Sequence, residues 1–95
     1  MQTLLPNDIV LNETKGIGDF GTIERNVAWA IVKFCQKTNS WVEFTSSDLE
    51  AFILIRFIPY VLESMCARYG LLEKKNDAYV ATEKFISALA KQTPP

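Results

Sequence analysis

Tyr60-Val-Leu-Glu-Ser-Met-Cys-Ala-Arg-Tyr-Gly-Leu-Leu-Glu-Lys-Lys-Asn-Asp-Ala-Tyr-Val-Ala-Thr-Glu-Lys-Phe-Ile-Ser-Ala-Leu89 is the stretch from which the fold is read. Val61, Leu62, Met65, Cys66 and Tyr69 recur at three- and four-residue steps, which predicts a helix from about Pro59 to Tyr69. Gly70 suits the left-handed position that ends such a helix. Leu71–Lys74 and Ala78–Ala81 have strand composition and flank Lys75-Asn76-Asp77, a hairpin turn. Thr82 then caps a last helix to about Lys91, with Phe85, Ile86 and Leu89 facing inward.

Upstream of this stretch the same periodicities continue. Ile23, Val27, Ala30, Ile31 and Phe34 make one face of a helix to about Lys37. Thr22 is its expected N-cap and Glu24 suits the helix dipole. Trp29 and Cys35 widen that face, so this helix is expected to be central. Trp41-Val-Glu-Phe44 reads as a strand. Thr45-Ser-Ser-Asp48 has capping-box spacing and opens a short helix from about Ser47 to Leu54. Residues 56–58 form the expected turn, and Pro59 fits the first position of the next helix. Residues 1–21 read as an N-terminal arm and loop, in which Ile9-Val10-Leu11 is a short strand or an extended docking segment. Residues 92–95 read as a frayed tail.

The totals set limits. Ninety-five residues, 48% of them hydrophobic, make one small domain with a modest core. The net charge of −1 leaves no overall basic excess for a nucleic-acid backbone, so any basic surface must be local. Two cysteines, Cys35 and Cys66, sit at apolar helical positions and read as core packing, and they form no disulfide framework. No histidine is present, which removes the usual general base and the commonest metal ligand. No metal site and no cofactor are therefore expected. The start of the chain lacks a basic region and is interrupted by Pro6. The apolar run from Phe52 to Val61 contains Arg56 and Pro59 and is too short for a bilayer. The expectation is a soluble, cytoplasmic protein with no membrane partner.

One motif imitates a cofactor site. Gly16-Ile-Gly-Asp-Phe-Gly21 has the spacing of a dinucleotide-binding loop, with Glu43 a suitable distance downstream. Four polar residues separate Leu11 from its first glycine, Asp19 sets a negative charge where pyrophosphate would lie, and too little chain remains for a parallel sheet. It reads as a loop leading into the first helix. The carboxylates Glu24, Glu43, Asp48, Glu50, Glu63, Glu73, Asp77 and Glu83 are spread along polar faces, and no Ser or Cys has a histidine partner. No enzymatic activity is expected.

The order over residues 22–91 is helix, strand, helix, helix, strand, strand, helix. With the Tyr-Gly-Leu-Leu…Tyr-Val-Ala-Thr pattern of residues 69–82, it resembles the winged-helix family. The resemblance implies an α+β, mostly helical, single winged-helix domain with an irregular N-terminal arm. It further implies a DNA-binding regulator, a homodimer by expectation. Its recognition helix would be Pro59–Tyr69 and its wing Leu72–Val80. Tyr60 and Ser64 would bond phosphates and Arg68 phosphate or guanine. Lys74 and Lys75 would neutralise phosphates, joined on the same side by Arg56 and Lys84. Glu63, Glu73, Asp77 and Glu83 lie close to these cations in sequence, so a monomer should bind weakly. The second expectation is a winged helix that binds protein and no nucleic acid. The Gly-Leu-Leu…Tyr-x-x-Thr pattern also resembles the amino-terminal dimerisation domains of some methyltransferases. The interaction patch would then include Trp41, Phe57 and Ile58.

Overall fold

The computed structural model describes residues 4–9, 22–53 and 57–92. Among them lie a 3₁₀ turn at Pro6–Asp8 and four α-helices: α1 (Thr22–Gln36), α2 (Ser46–Leu49), α3 (Ile58–Ala67) and α4 (Glu83–Gln92). Strands β1 (Leu72–Lys75) and β2 (Ala78–Ala81) form an antiparallel hairpin between α3 and α4. The architecture is α+β. Helix α1 includes Thr22 as its first residue, so Thr22 is not the capping residue ahead of the helix that the sequence suggested. The glycine loop 16–21 lies outside the described residues, as does Arg56.

Helix α1 is the centre of the packing. Val27, Ala28, Ala30, Ile31 and Val32 are fully buried, and Cys35 nearly so. Burial on several sides of one helix requires neighbours around it. Those neighbours are the 3₁₀ turn, α2 and α3. Burial pushes the Cys35 thiol above its ordinary range, and both cysteines are free.

The capping box at Thr45 forms as its spacing predicts. The Thr45 amide donates to Asp48 Oδ2 at 2.8 Å, and the Asp48 amide donates back to Thr45 Oγ1 at 3.3 Å. The helix it opens is shorter than expected. It ends at Leu49, and a further turn follows in which the Phe52 amide donates to the Leu49 carbonyl at 2.9 Å.

Helix α3 starts at Ile58, so Pro59 takes its second position, where the lack of an N–H is equally harmless. It stops two residues earlier than the sequence suggests. Gly70 has φ +66°, a region closed to most side chains, and lets the chain turn back. The Leu71 amide then donates to the Met65 carbonyl at 2.9 Å. Tyr69, expected on the apolar face, lies past the helix end and is exposed.

In the hairpin, Leu72 pairs with Ala81, Glu73 with Val80, Lys74 with Tyr79 and Lys75 with Ala78. The loop is Asn76-Asp77, and Asn76 has φ 57°, which asparagine tolerates better than most residues. The strand expected at Trp41–Phe44 is reduced to one residue. Phe44 and Tyr79 exchange both backbone hydrogen bonds, at 2.9 and 2.8 Å, as an isolated bridge on the free side of β2. Pairing does not extend before Phe44. The Val42 amide turns back to the Ser40 carbonyl, and the Trp41 ring turns inward, edge-on to Phe85.

The core is one cluster joining α1 to Phe44, Leu49, Ile58, Leu62, Met65, Leu71, Leu72, Phe85 and Leu89. Thr82 fastens its edge. Its hydroxyl reaches the Gly70 and Leu71 carbonyls, both at 2.9 Å, and accepts from the Phe85 amide at 3.4 Å. One side chain thus caps α4 and holds the α3–β1 junction.

Candidate functional site

The face built by α3 and the hairpin carries most of the candidate residues. Its geometry follows from the register. Residues directly opposite in an antiparallel pair share a face. Lys74 and Tyr79 therefore point to one side of the hairpin, and Lys75 and Ala78 to the other. Tyr79 is the buried residue of β2. Its ring stacks on Phe44, with centroids 6.2 Å apart. A buried tyrosine hydroxyl needs a partner, and Tyr79 finds it in Glu63 of α3, donating to Oε1 at 2.7 Å. Lys74 Nζ donates to the same oxygen at 2.6 Å and lies 5.9 Å from the Tyr79 ring centre.

The three groups shift one another's protonation. The hydrogen bond from Lys74, then that from Tyr79, holds the Glu63 carboxyl below its usual range. The Glu63 carboxylate raises the Lys74 ammonium. Burial first, and then the hydrogen bond to Glu63, pushes the Tyr79 phenol up to about 12. Glu63 and Lys74 are each about half exposed, with 48% of the side-chain surface accessible, so water screens the ion pair. Its role is to fix one hairpin lysine against α3.

The other candidates are more scattered. Tyr60 is the most exposed large apolar side chain described, at 76%, with Phe57 next at 67%. Both belong to the first turn of α3 or its cap. Ser64 is half-buried one turn further along the stripe that begins at Tyr60. Arg68 caps the helix and lies over the Tyr69 ring at 5.8 Å. Lys75 and Lys84 are exposed, Lys75 on the hairpin face opposite Lys74 and Lys84 on α4, which packs on β2. Two members of the apolar patch are not available on the surface as the sequence suggested. Ile58 is 1% exposed, because it is the first core residue of α3. Trp41 is half-buried, with its Nε1–H donating to the Leu4 carbonyl at 2.6 Å. The exposed aromatic pair is Phe57 and Tyr60.

Sequence reasoning placed Glu63 as an acid opposing phosphate and missed its two partners. They lie 11 and 16 residues away, beyond any local pattern. The sequence of β2, Ala78-Tyr-Val-Ala81, is apolar throughout and does not single out Tyr79 as its buried residue.

Among the described residues no group of three His, Cys, Asp or Glu side chains can hold a metal ion, and no helix is long and apolar enough to cross a membrane. Comparison with protein-family models, curated proteins and solved structures finds no match to the chain.

Proposed function

We propose that the chain is a winged-helix domain that acts as a protein-interaction or dimerisation module. Its contact surface is the exposed start of α3. The element order supports the fold reading: a helix, a bridging residue beside a hairpin, two helices, the hairpin itself and a closing helix.

The observation that carries the function is the exposure of both Phe57 and Tyr60, three residues apart at the start of α3. Exposed aromatics next to a helix face are the residue types that dominate protein contacts. The charge distribution supports the same reading. Helix α3 contains no cation and one acid, Glu63. That acid takes Lys74, the hairpin cation nearest the helix.

The DNA-binding reading is second. Arg68 and Lys75 favour it, since both are exposed. Few phosphate contacts remain to release counterions, so affinity would be low and only modestly salt-dependent. Fluorescence anisotropy of a labelled random-sequence duplex, titrated at low and then moderate salt, separates the two. The interaction module gives no binding at either salt. Duplex binding at low salt that weakens as salt is raised overturns it in favour of DNA.

A further inference from the structure

Strand β1 pairs along one edge and leaves the other open. Tyr79 exchanges main-chain hydrogen bonds with Phe44, at 2.8 and 2.9 Å, on the far side of β2. In an antiparallel pair, a residue whose groups point away from the partner strand lies opposite one that does the same. Lys74 is opposite Tyr79, so its N–H and C=O point outward from the free side of β1. Among the described residues no main-chain group takes them. Glu73, Lys74 and Lys75 are all exposed, so this edge is open to a further strand.

Charge selects which strand it accepts. Glu73 and Lys75 stand on the outer face of the hairpin, on either side of Lys74. Lys74 points to the inner face, where Glu63 holds it at 2.6 Å. A two-fold axis normal to the sheet sets one residue of β1 opposite itself in a second copy. Centred on Glu73 or Lys75, the axis opposes like charges, which is destabilising. Centred on Leu72, it leaves the charges without partners. Centred on Lys74, it sets Glu73 opposite Lys75 of the other copy, twice over. The two Lys74 residues then exchange their outward N–H and C=O groups. Their side chains face each other, but each already carries a carboxylate from its own α3.

We propose that the open edge of β1 pairs with the same edge of a second copy of this chain, in the register centred on Lys74. The Glu63–Lys74 ion pair permits that register by neutralising the lysine at the axis. Four residues of strand are too little for a stable dimer on their own. The exposed aromatic pair adds apolar area beside the edge, since Tyr60 is a helical neighbour of Glu63. The proposal rests on the reading of this chain as an interaction module and makes a second copy the partner of that module.

The test is sedimentation equilibrium of the full chain over a range of concentrations at low salt. Concentration-dependent dimerisation is expected. Glu73→Lys and Lys75→Glu each make both cross-strand pairs repulsive and should weaken dimerisation about tenfold. The double variant restores both pairs in reverse and should recover the original affinity to within about twofold. Both side chains are exposed, so all three variants should keep the circular dichroism spectrum. Dimerisation that follows the charges but persists in Phe57→Ala with Tyr60→Ala keeps the edge and removes the α3 surface. Dimerisation lost in that ring variant but indifferent to the charges overturns the edge and keeps the α3 surface. A double variant as weak as the single ones also overturns the register. A chain that stays monomeric throughout overturns the second copy as occupant and leaves the α3 surface to another protein.

Discussion

Glu63 of α3 accepts from both Lys74 Nζ at 2.6 Å and the Tyr79 hydroxyl at 2.7 Å, through one carboxylate oxygen. The helix and the hairpin are thereby linked through side chains as well as through the core beneath them. A hairpin lysine that would otherwise be free to meet an anion is held against an acid of its own domain.

The linkage gives a pH signature with two limbs. Glu63 is held below its ordinary value of 4.5. Its contribution is therefore present above about pH 4.5 and is lost as pH falls through the lowered value. Tyr79 is raised from 10.0 to about 12. The fold favours the neutral phenol, so that contribution is present below about pH 10 and is lost as pH rises toward 12. Urea denaturation across pH should show stability falling on both limbs. Tyr79→Phe should flatten the alkaline limb and cost about 1 kcal/mol at neutral pH, the net worth of one hydrogen bond. An alkaline limb unchanged in the variant would assign it to other groups.

Thr82 has a larger effect than its position in a short connection suggests. Its hydroxyl serves both the Gly70–Leu71 junction and the first turn of α4. Thr82→Ala should lower the unfolding free energy by about 1–2 kcal/mol, and Thr82→Ser should recover most of it. Equal losses in the two variants would show that the methyl group matters and the cap does not.

Gly70 separates backbone strain from crowding. A Cβ added there meets nothing within 4 Å, yet φ is +66°. Gly70→Ala should therefore cost about 1 kcal/mol through the backbone alone. Gly70→Asn should cost less, because asparagine tolerates the left-handed region. Thermal melts of the pair give the ranking, and the reverse order would contradict the argument.

Phe57 and Tyr60 should be thermodynamically quiet. Phe57 is the N-cap of α3 but makes no side-chain cap bond, and replacing exposed side chains that hold no such bond changes stability by about 0.5 kcal/mol or less. Phe57→Ala with Tyr60→Ala should leave the melt nearly unchanged, and any self-association seen by sedimentation should be lost. A large drop in melting temperature would place these rings in the core.

Much of the fold was legible because its signals are local. Thr45 and Asp48 lie three residues apart, and the capping box forms. Gly70 and Thr82 stand where a helix must stop and another must start. The hairpin was legible in outline, although its loop is Asn76-Asp77 and not the three residues expected, which moves β1 by one residue to Leu72–Lys75. The misreadings have non-local causes. The strand at Trp41–Phe44 has good strand composition, but Trp41 is drawn inward by the Leu4 carbonyl and Phe85, which leaves Phe44 alone to pair. Ile58 and Phe57 are adjacent and both large, yet helix geometry buries one and exposes the other. The candidate site was legible as a set of exposed residues but not as a network. The choice of Lys74 as a phosphate contact could not anticipate an acid 11 residues earlier brought within 2.6 Å.

The most direct test follows the Lys74 ammonium by heteronuclear NMR while a random-sequence duplex is added at low salt. The account predicts that its signal stays fixed and keeps its coupling to the Glu63 carboxylate. A Lys74 signal that moves with added duplex, as the contact to Glu63 is lost, would contradict it and return the hairpin to nucleic-acid binding.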